Sequence, residues 1–303
     1  MEKIPKVSII VLNWNNFKDT KECLESLEKI SYPNHEIIVV DNGSQDGSTR
    51  RIQKEFPDYI YIYNDKNLGF GEGTNVGMKY ALKRGTDYVF YINNDMIVDK
   101  AFLEPLVQAM RNERAGLVGP ATYHYFQREK IYSAGIHLNF WKTKIKDYKF
   151  TGKLREVDSL GGVFLIKKEV IDKIGYFYEP YFLNLEETDY CFQAKKAGFK
   201  IFCEPKSKIW HKVGKTLRRI PATATYYYYR NQLLFIKRSN PFYLKYPLYL
   251  YWHLYLSLRF IEKSLKGEKK IAFAIKRALI DFWTGNFGKK NLIENIKNIK
   301  KFR

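Results

Sequence analysis

The most constraining feature of this chain is a repeated pairing of a short, wholly apolar run with a segment of helical period. "VSIIVL" (7–12), "EIIVVD" (36–41), "YIYIY" (59–63) and "YVFYIN" (88–93) are rich in β-branched and aromatic residues, as buried strands are. Between them, 17–30 spaces Phe17, Cys23, Leu24, Leu27 and Ile30 as one helix face, and 44–56 opens with capping residues. Further helices are expected from about Gly73 to Arg84 and near 100–112, with "GLVGP" as the next strand. Strands apolar on both faces, alternating with helices, predict an α/β fold with a mainly parallel sheet covered on both sides. Ligands bind such sheets beyond the carboxyl ends of the strands. Those ends here read Asn13–Asn16, Asp41-Asn42-Gly43, Asn64–Asn67 and Asn93-Asn94-Asp95. One rim is polar.

From about residue 121 the pattern is mixed. "SLGGVFLIKKEVIDKIG" (159–175) reads as a strand then a helix, and 189–205 as a helix, a stop at Gly198 and a short strand. Pro241 and Pro247 mark the edge of a C-terminal segment, which divides the chain into 1–240 and 241–303. Charge follows a similar division. Residues 1–205 hold 29 Lys/Arg against 28 Asp/Glu, and residues 206–303 hold 23 against 4. The basic part also carries "TYYYYRNQ" and "FYLKYPLYLYWHLYLSLRFI", a mixture that suits nucleic acid or an anionic membrane surface. Cys23, Cys191 and Cys203 match neither a disulfide framework nor a metal knuckle and point to a reducing compartment. The first apolar run is too short for a secretory leader and lacks a cleavage site, so a cytoplasmic location is expected.

Several short runs hold residues able to do chemistry. Asp41 ends a buried strand, where a carboxylate can accept the imide N–H of a uracil or thymine. Ser44, Asp46 and Gly43 beside it are equally explained as a turn and a helix cap. "NLGFGEGTNVG" (67–77), with Asn67, Gly69 and Asn75, lets backbone approach a ligand, but it lacks the dinucleotide register. Asp95 can hold a divalent cation through hard oxygen, although an Asx turn would also explain it. His211 follows a short strand, and a lone histidine is most often structural. "NLEETDYC" (184–191) crowds Glu186, Glu187 and Asp189 into four positions. Acids favour the first turn of a helix, and a general base is the competing explanation.

Taken in order, "VSIIVLNWNN", "VVDNGSQDGS", "NLGFGEGTNVG", "INNDM", "GGVFLIKKEV", "EETDYCFQAKKAG" and "WHKVGKT" resemble family 2 glycosyltransferases of GT-A fold, above all rhamnosyltransferase-like members, over roughly residues 5–240. The resemblance implies inverting transfer of a sugar from a UDP- or dTDP-linked donor, with rhamnose as one such sugar, to an acceptor hydroxyl in cell-surface glycan or glycolipid synthesis. It implies nucleotide-sugar contacts at Asn13, Asp41, Asn67, Gly69, Asn75, Asn93, Asn94 and Asp95. Asp95 and His211 would bind Mn²⁺ or Mg²⁺, and Gly161, Gly162 and Glu186 would face the acceptor. Glu187 is the expected base, with Glu186 and Asp189 beside it. Two departures stand out. The acidic metal motif is here Asn-Asn-Asp, and the second acid of the pair is Glu where Asp is frequent.

Two other classes compete. A nucleic-acid-binding protein would use the basic aromatic tail, and a glycoside hydrolase would use paired carboxylates. A plain membrane span over 242–261 is disfavoured by Lys245, Pro247, His253 and Arg259. Instead 269–283, with Ile271, Ile275, Ala278, Leu279 and Phe282 on one face, is expected to lie in the headgroup layer of the cytoplasmic leaflet. Docking of that face on the protein's own core is the alternative.

Overall fold

The structure is a computed structural model and describes residues 3–139, 146–212 and 221–290. Its first half follows the apolar runs: β1 (Val7–Asn13), α1 (Phe17–Leu27), β2 (His35–Asp41), α2 (Ser48–Glu55), β3 (Ile60–Tyr63), α3 (Phe70–Lys83) and β4 (Tyr88–Asn93). There follow β5 (Met96–Val98), α4 (Leu103–Ala109), β6 (Ala115–His124), β7 (Gln127–Ser133), β8 (Ile136–His137) and β9 (Lys146–Asp147). Then come β10 (Arg155–Glu156), β11 (Phe164–Lys167), α5 (Lys168–Ile174), α6 (Glu186–Lys196) and β12 (Lys200–His211). Three helices follow: α7 (Pro221–Ser239), α8 (Phe242–Leu265) and α9 (Lys269–Trp283).

Among the described residues ten strands form one sheet, in which β10-β12-β6-β11-β4-β1-β2-β3 are neighbours, β5 joins β12 and β7 joins β6. The β4-β1-β2-β3 half is parallel, as expected. β11 lies antiparallel to both β4 and β6, so the sheet as a whole is mixed. The cause is local. β11 enters through the Gly161-Gly162 turn, where Gly162 has φ 76°, and its exit runs directly into α5 on one face of the sheet.

Period-two alternation divides β1 between two cores. Val7, Ile9 and Val11 meet Cys23, Leu24 and Leu27 of α1, Ile52 of α2 and Leu103 and Leu106 of α4. Ile10 faces the other way, with Met78 and Ala81 of α3, Val170 of α5 and Cys191 of α6. All three cysteines are free and buried.

Several local expectations are corrected. α3 begins at Phe70, three residues before Gly73, and α4 spans only Leu103–Ala109. The strand after Gly198 is long, reaching His211. Pro241 does break the chain, but Pro247 sits inside α8. It lies in the second turn, where the ring removes the N–H that would have bonded to Tyr243 O, and the helix runs on through it.

The tyrosine run is interior. Tyr226, Tyr227 and Tyr229 join Trp252, Leu256, Ala274, Ile275, Ala278 and Phe282 in a core shared by α7, α8 and α9. The apolar face of α9 therefore docks on its own neighbours, and the headgroup role expected for it is overturned. α8 shows the opposite behaviour. Leu248, Trp252 and Leu256 are buried, while Tyr243, Tyr246, Leu250, Leu254, Leu258, Ile261 and Leu265 line its outer face at three- to four-residue spacing, each more than half exposed. No helix among the described residues is long and apolar enough to cross a membrane.

Candidate active site

The polar strand ends form one rim at the mouth of the parallel half. Asp41 closes β2, is almost fully buried, and accepts a hydrogen bond from Ser44 N at 3.0 Å. Gly43, with φ 73°, packs against the backbone of Lys66, which a Cβ would meet at 2.5 Å. Asn42 then staples the glycine loop. Its Nδ2 donates to Gly69 O at 2.9 Å, and its Oδ1 accepts from Leu68 N at 3.1 Å. Asn67 Oδ1 accepts from Gly69 N at 2.8 Å. Asn42 was not singled out in the sequence, yet it ties the Asp41 turn to the loop. Its place beside Asp41 at a strand end is the signal that could have marked it.

Two expected nucleotide contacts lie below this rim. Asn13 and Asn75 are both 0% exposed. Asn13 Nδ2 donates to Thr49 Oγ1 at 2.7 Å and Ser48 Oγ at 3.0 Å, and its Oδ1 accepts from Thr20 Oγ1 at 2.9 Å. Asn75 exchanges two hydrogen bonds with the backbone of Phe177, at 2.8 and 3.0 Å. Both amides act as internal braces.

β4 delivers Asn93, Asn94 and Asp95 together. Asn94 Nδ2 donates to Thr20 Oγ1 at 2.8 Å, and Asn93 lies opposite the turn at Gly162, whose Cβ would stand 3.7 Å from Asn93 Nδ2. Gly161 is next to Ile136 and Ser133, so the two glycines separate Asn93 from the start of β8. The pairing of β12 with β5 sets His211 opposite Met96. This brings His211 Nε2 to 3.4 Å from Asp95 Oδ1. The other ring nitrogen, Nδ1, is buried without a hydrogen-bond partner. Lys212, also missed in the sequence, is 4% exposed and pairs with Asp19 at 2.7 Å and Glu22 at 2.6 Å. It locks the end of β12 to α1 and so fixes His211 over Asp95.

One carboxylate and one imidazole facing the same space fit a divalent cation whose other ligands are phosphate oxygens and water. Mixed N and O donors favour Mn²⁺ over Mg²⁺, which prefers oxygen alone. No group of three His, Cys, Asp or Glu side chains converges among the described residues.

The acidic run starts α6, and its three carboxyls have different surroundings. Asp189 is 2% exposed and bound on both oxygens, by Arg238 Nε at 2.9 Å and Gln193 Nε2 at 3.0 Å. Glu186 is 1% exposed, lies under Gly71, and has no hydrogen-bond partner for either oxygen. Burial, and then the charge of Glu187, push its carboxyl far above the usual range. Glu187 stays partly open. The packing around it pushes its carboxyl up to about 7. Tyr91 lies close to both glutamates electrostatically and shares its face of β4 with Asn93, which sets the acids on the same side of that strand as the rim.

A GT-A fold, the architecture of transferases that use nucleotide-diphosphate sugars, is what this sheet and rim define. In solved structures it is shared with mannosyltransferase PcManGT of Pyrobaculum calidifontis, in complex with GDP-Man and Mn²⁺ (TM-score 0.59, 14% identity, 93% of this chain and 88% of that one). It is shared also with Staphylococcus aureus TarS 1–349 in complex with UDP (TM-score 0.54, 19% identity, 78% and 67%). Residues 8–175 match the glycosyl transferase family 2 profile, and the chain belongs to that family. Curated relatives include dTDP-rhamnosyl transferase RfbF of Shigella flexneri, 22% identical over 215 residues, which cover 67% of this chain and 71% of the relative. Another is the N-acetylglucosaminyl-diphospho-decaprenol L-rhamnosyltransferase of Mycobacterium tuberculosis, 23% identical over 263 residues, which cover 77% and 86%.

Proposed function

We propose that this glycosyltransferase inverts the anomeric centre of a UDP- or dTDP-linked sugar, rhamnose foremost, as it transfers that sugar to an acceptor hydroxyl in glycan or glycolipid synthesis. Support for the donor class comes from Asp41 at the end of β2 and from relatives named for rhamnosyl transfer. Asp41 would accept the imide N–H of the base. The stapled loop at Asn67 and Gly69 would take the ribose and diphosphate on its backbone, and Asn93 and Asn94 would flank the sugar-phosphate link. Asp95 and His211 would hold Mn²⁺ or Mg²⁺, which when bound neutralises charge growing on the leaving diphosphate. Gly161 and Gly162 leave room for the acceptor beside Asn93.

The observation that carries this proposal is the contrast within the acidic run. Asp189 is committed to Arg238, and Glu186 is sealed beneath Gly71. Glu187 is the partly open carboxyl, held near neutrality, where a general base is most effective. It would take the acceptor hydroxyl proton as that oxygen attacks opposite the diphosphate. One base suffices for a single displacement with inversion. Tyr226, Tyr227 and Tyr229 fill the protein's own core and are not free to stack on bases, which removes part of the motive for nucleic-acid binding.

A donor screen tests the proposal. Nucleoside diphosphate release is measured over UDP- and dTDP-sugars with Mn²⁺, with chelator, and with Asp95→Ala and His211→Ala variants. Release should be confined to uridine or thymidine donors, vanish in chelator, and need more Mn²⁺ in both variants. Full turnover in excess chelator removes the cation, and turnover of GDP-sugars alone removes the role given to Asp41.

A further inference from the structure

Immediately ahead of α6 the backbone takes a course that L-residues avoid. Phe182, Asn184 and Leu185 have φ of 63°, 71° and 73°, three of the four non-glycine residues with positive φ among those described. Each such position is strained for an L-residue, so the turn must be held from outside. Leu185 caps α6 with no side-chain hydrogen bond of its own.

The carbonyls of the turn show what holds it. Asn231 Nδ2 lies 3.0 Å from Tyr181 O, 2.7 Å from Leu183 O and 2.9 Å from Asn184 O. Arg230 Nη2 donates to Pro180 O at 3.0 Å and Tyr181 O at 2.7 Å. Arg230 Nε and Nη2 also donate to Asn231 Oδ1, at 2.9 and 2.8 Å, which fixes the amide end that faces the turn. From the opposite side Phe70 N donates to Phe182 O at 2.8 Å. Arg230 and Asn231 are 0% exposed. A buried guanidinium is costly unless its N–H groups are satisfied, and here backbone oxygens of the turn take much of that work. The Tyr227 ring, with its centroid 4.9 Å from the guanidinium carbon, covers one side.

We propose that Arg230 and Asn231 are positioning residues for Glu187. They hold the left-handed turn that launches α6, and so set the direction in which the Glu187 side chain leaves the helix. This rests on Glu187 being the base. Most of the donor rim lies on β1, β2 and β4, and the turn meets the Asn67–Gly69 loop through Phe182 against Gly69 and Phe70, so the clamp acts on turnover more than on nucleotide affinity. A misplacement near 1 Å can cost about 100-fold in rate.

The test uses the full chain with Arg230→Lys, which keeps the cation but loses the fork, and Asn231→Leu, which keeps the volume but loses the donors. Thermal melting, UDP and dTDP affinity by calorimetry, amide exchange over 182–190 and the pH profile of kcat are measured. Arg230→Lys should melt as a folded protein and bind nucleotide within about twofold of wild type, with exchange at 182–187 accelerated and kcat lowered about 10- to 100-fold. Its acid limb should move below pH 7, because a loosened turn admits water to Glu187. Adding Leu185→Gly should restore part of the lost rate, since glycine adopts positive φ readily. Turnover and melting temperature that fall together, with the pH profile and exchange unmoved, would reduce both residues to structural roles and overturn the proposal. Full turnover by Glu187→Gln is a separate failure, of the base assignment. The clamp is then judged on exchange alone, and unchanged exchange at 182–187 in both variants sinks it too.

Discussion

Glu186 and Glu187 are neighbours on one helical turn with the same side chain, and only their surroundings divide their chemistry. Both lie where burial disfavours charge, but Glu186 is buried and Glu187 is partly exposed. A carboxyl whose folded-state pKa lies above its unfolded one supports the fold while protonated. That contribution is present below about pH 4.5 and is lost as pH rises through about 7. Under the proposed base role activity runs the other way, since a base must be ionised. The kcat profile should therefore show a single acid limb near pH 7 that disappears in Glu187→Gln, together with a rate loss of about 10²- to 10⁴-fold. Nucleotide affinity should be unchanged. A Glu187→Gln enzyme within a few-fold of wild type, with Asp189→Asn inactive, would return the role to Asp189. The residues of the acidic run do not by themselves rank its members, and only the family resemblance pointed to Glu187. Ranking depends on Arg238, which lies 49 positions away from Asp189 and leaves no local trace. Asn13 and Asn75 were legible as important and misleading as to how, since a polar residue at a rim and one just under it read alike.

At the scale of elements, the four parallel strands were legible because continuous apolar runs bounded by Asn and Gly leave few other choices. The start of α3 was not. The helix was expected from Gly73, with Gly69 and Gly71 before it, yet Gly71 also lies inside the helix beside Gly73 and Gly77, where missing side chains permit close packing. A Cβ at Gly73 would fall 2.9 Å from Asn42 Nδ2, and one at Gly77 would fall 2.7 Å from Ile10 Cγ2 and 3.1 Å from Val40 Cγ2. These glycines set the distance between α3 and the sheet, and with it the height of the Asn67–Gly69 loop above Asp41. Gly77→Ala gains helix propensity of about 1 kcal/mol but must displace two sheet side chains. Overpacking should prevail, with a net loss of about 1–2 kcal/mol by denaturant titration and weaker UDP or dTDP binding through the shifted loop. A stabilised variant with unchanged affinity would show that α3 has slack against the sheet.

For the whole molecule, the basic third and the catalytic body are tied through α7, which carries Arg230 and Asn231 into the acidic turn and Arg238 onto Asp189. The sequence suggested a separable tail because its charge and aromatic content change abruptly near residue 206. Burial was the missing information, as it sends the tyrosines of α7 and the apolar face of α9 inward. What remains outside is the stripe on α8 from Tyr243 to Leu265, with Trp283 of α9 also exposed at 60%. We propose that this face seats the protein peripherally on an anionic membrane surface and serves a lipid-linked acceptor. Residues 221–290 hold 13 Lys/Arg against 3 Asp/Glu, so the stripe is set in a cationic unit that anionic headgroups attract. Deleting α8 and α9 would be a poor test, because it would strip Trp252 and Phe282 from the core around Tyr226. Leu250→Glu with Leu254→Glu is cleaner, since both side chains are exposed, at 73% and 62%. Flotation with phosphatidylglycerol vesicles at low salt should show the wild type bound and the double variant released, with UDP and dTDP affinity equal in both. Binding should weaken as salt rises, because its electrostatic part is screened. Equal flotation of the two proteins would show that charge alone holds the chain and that the apolar stripe stays out of the lipid.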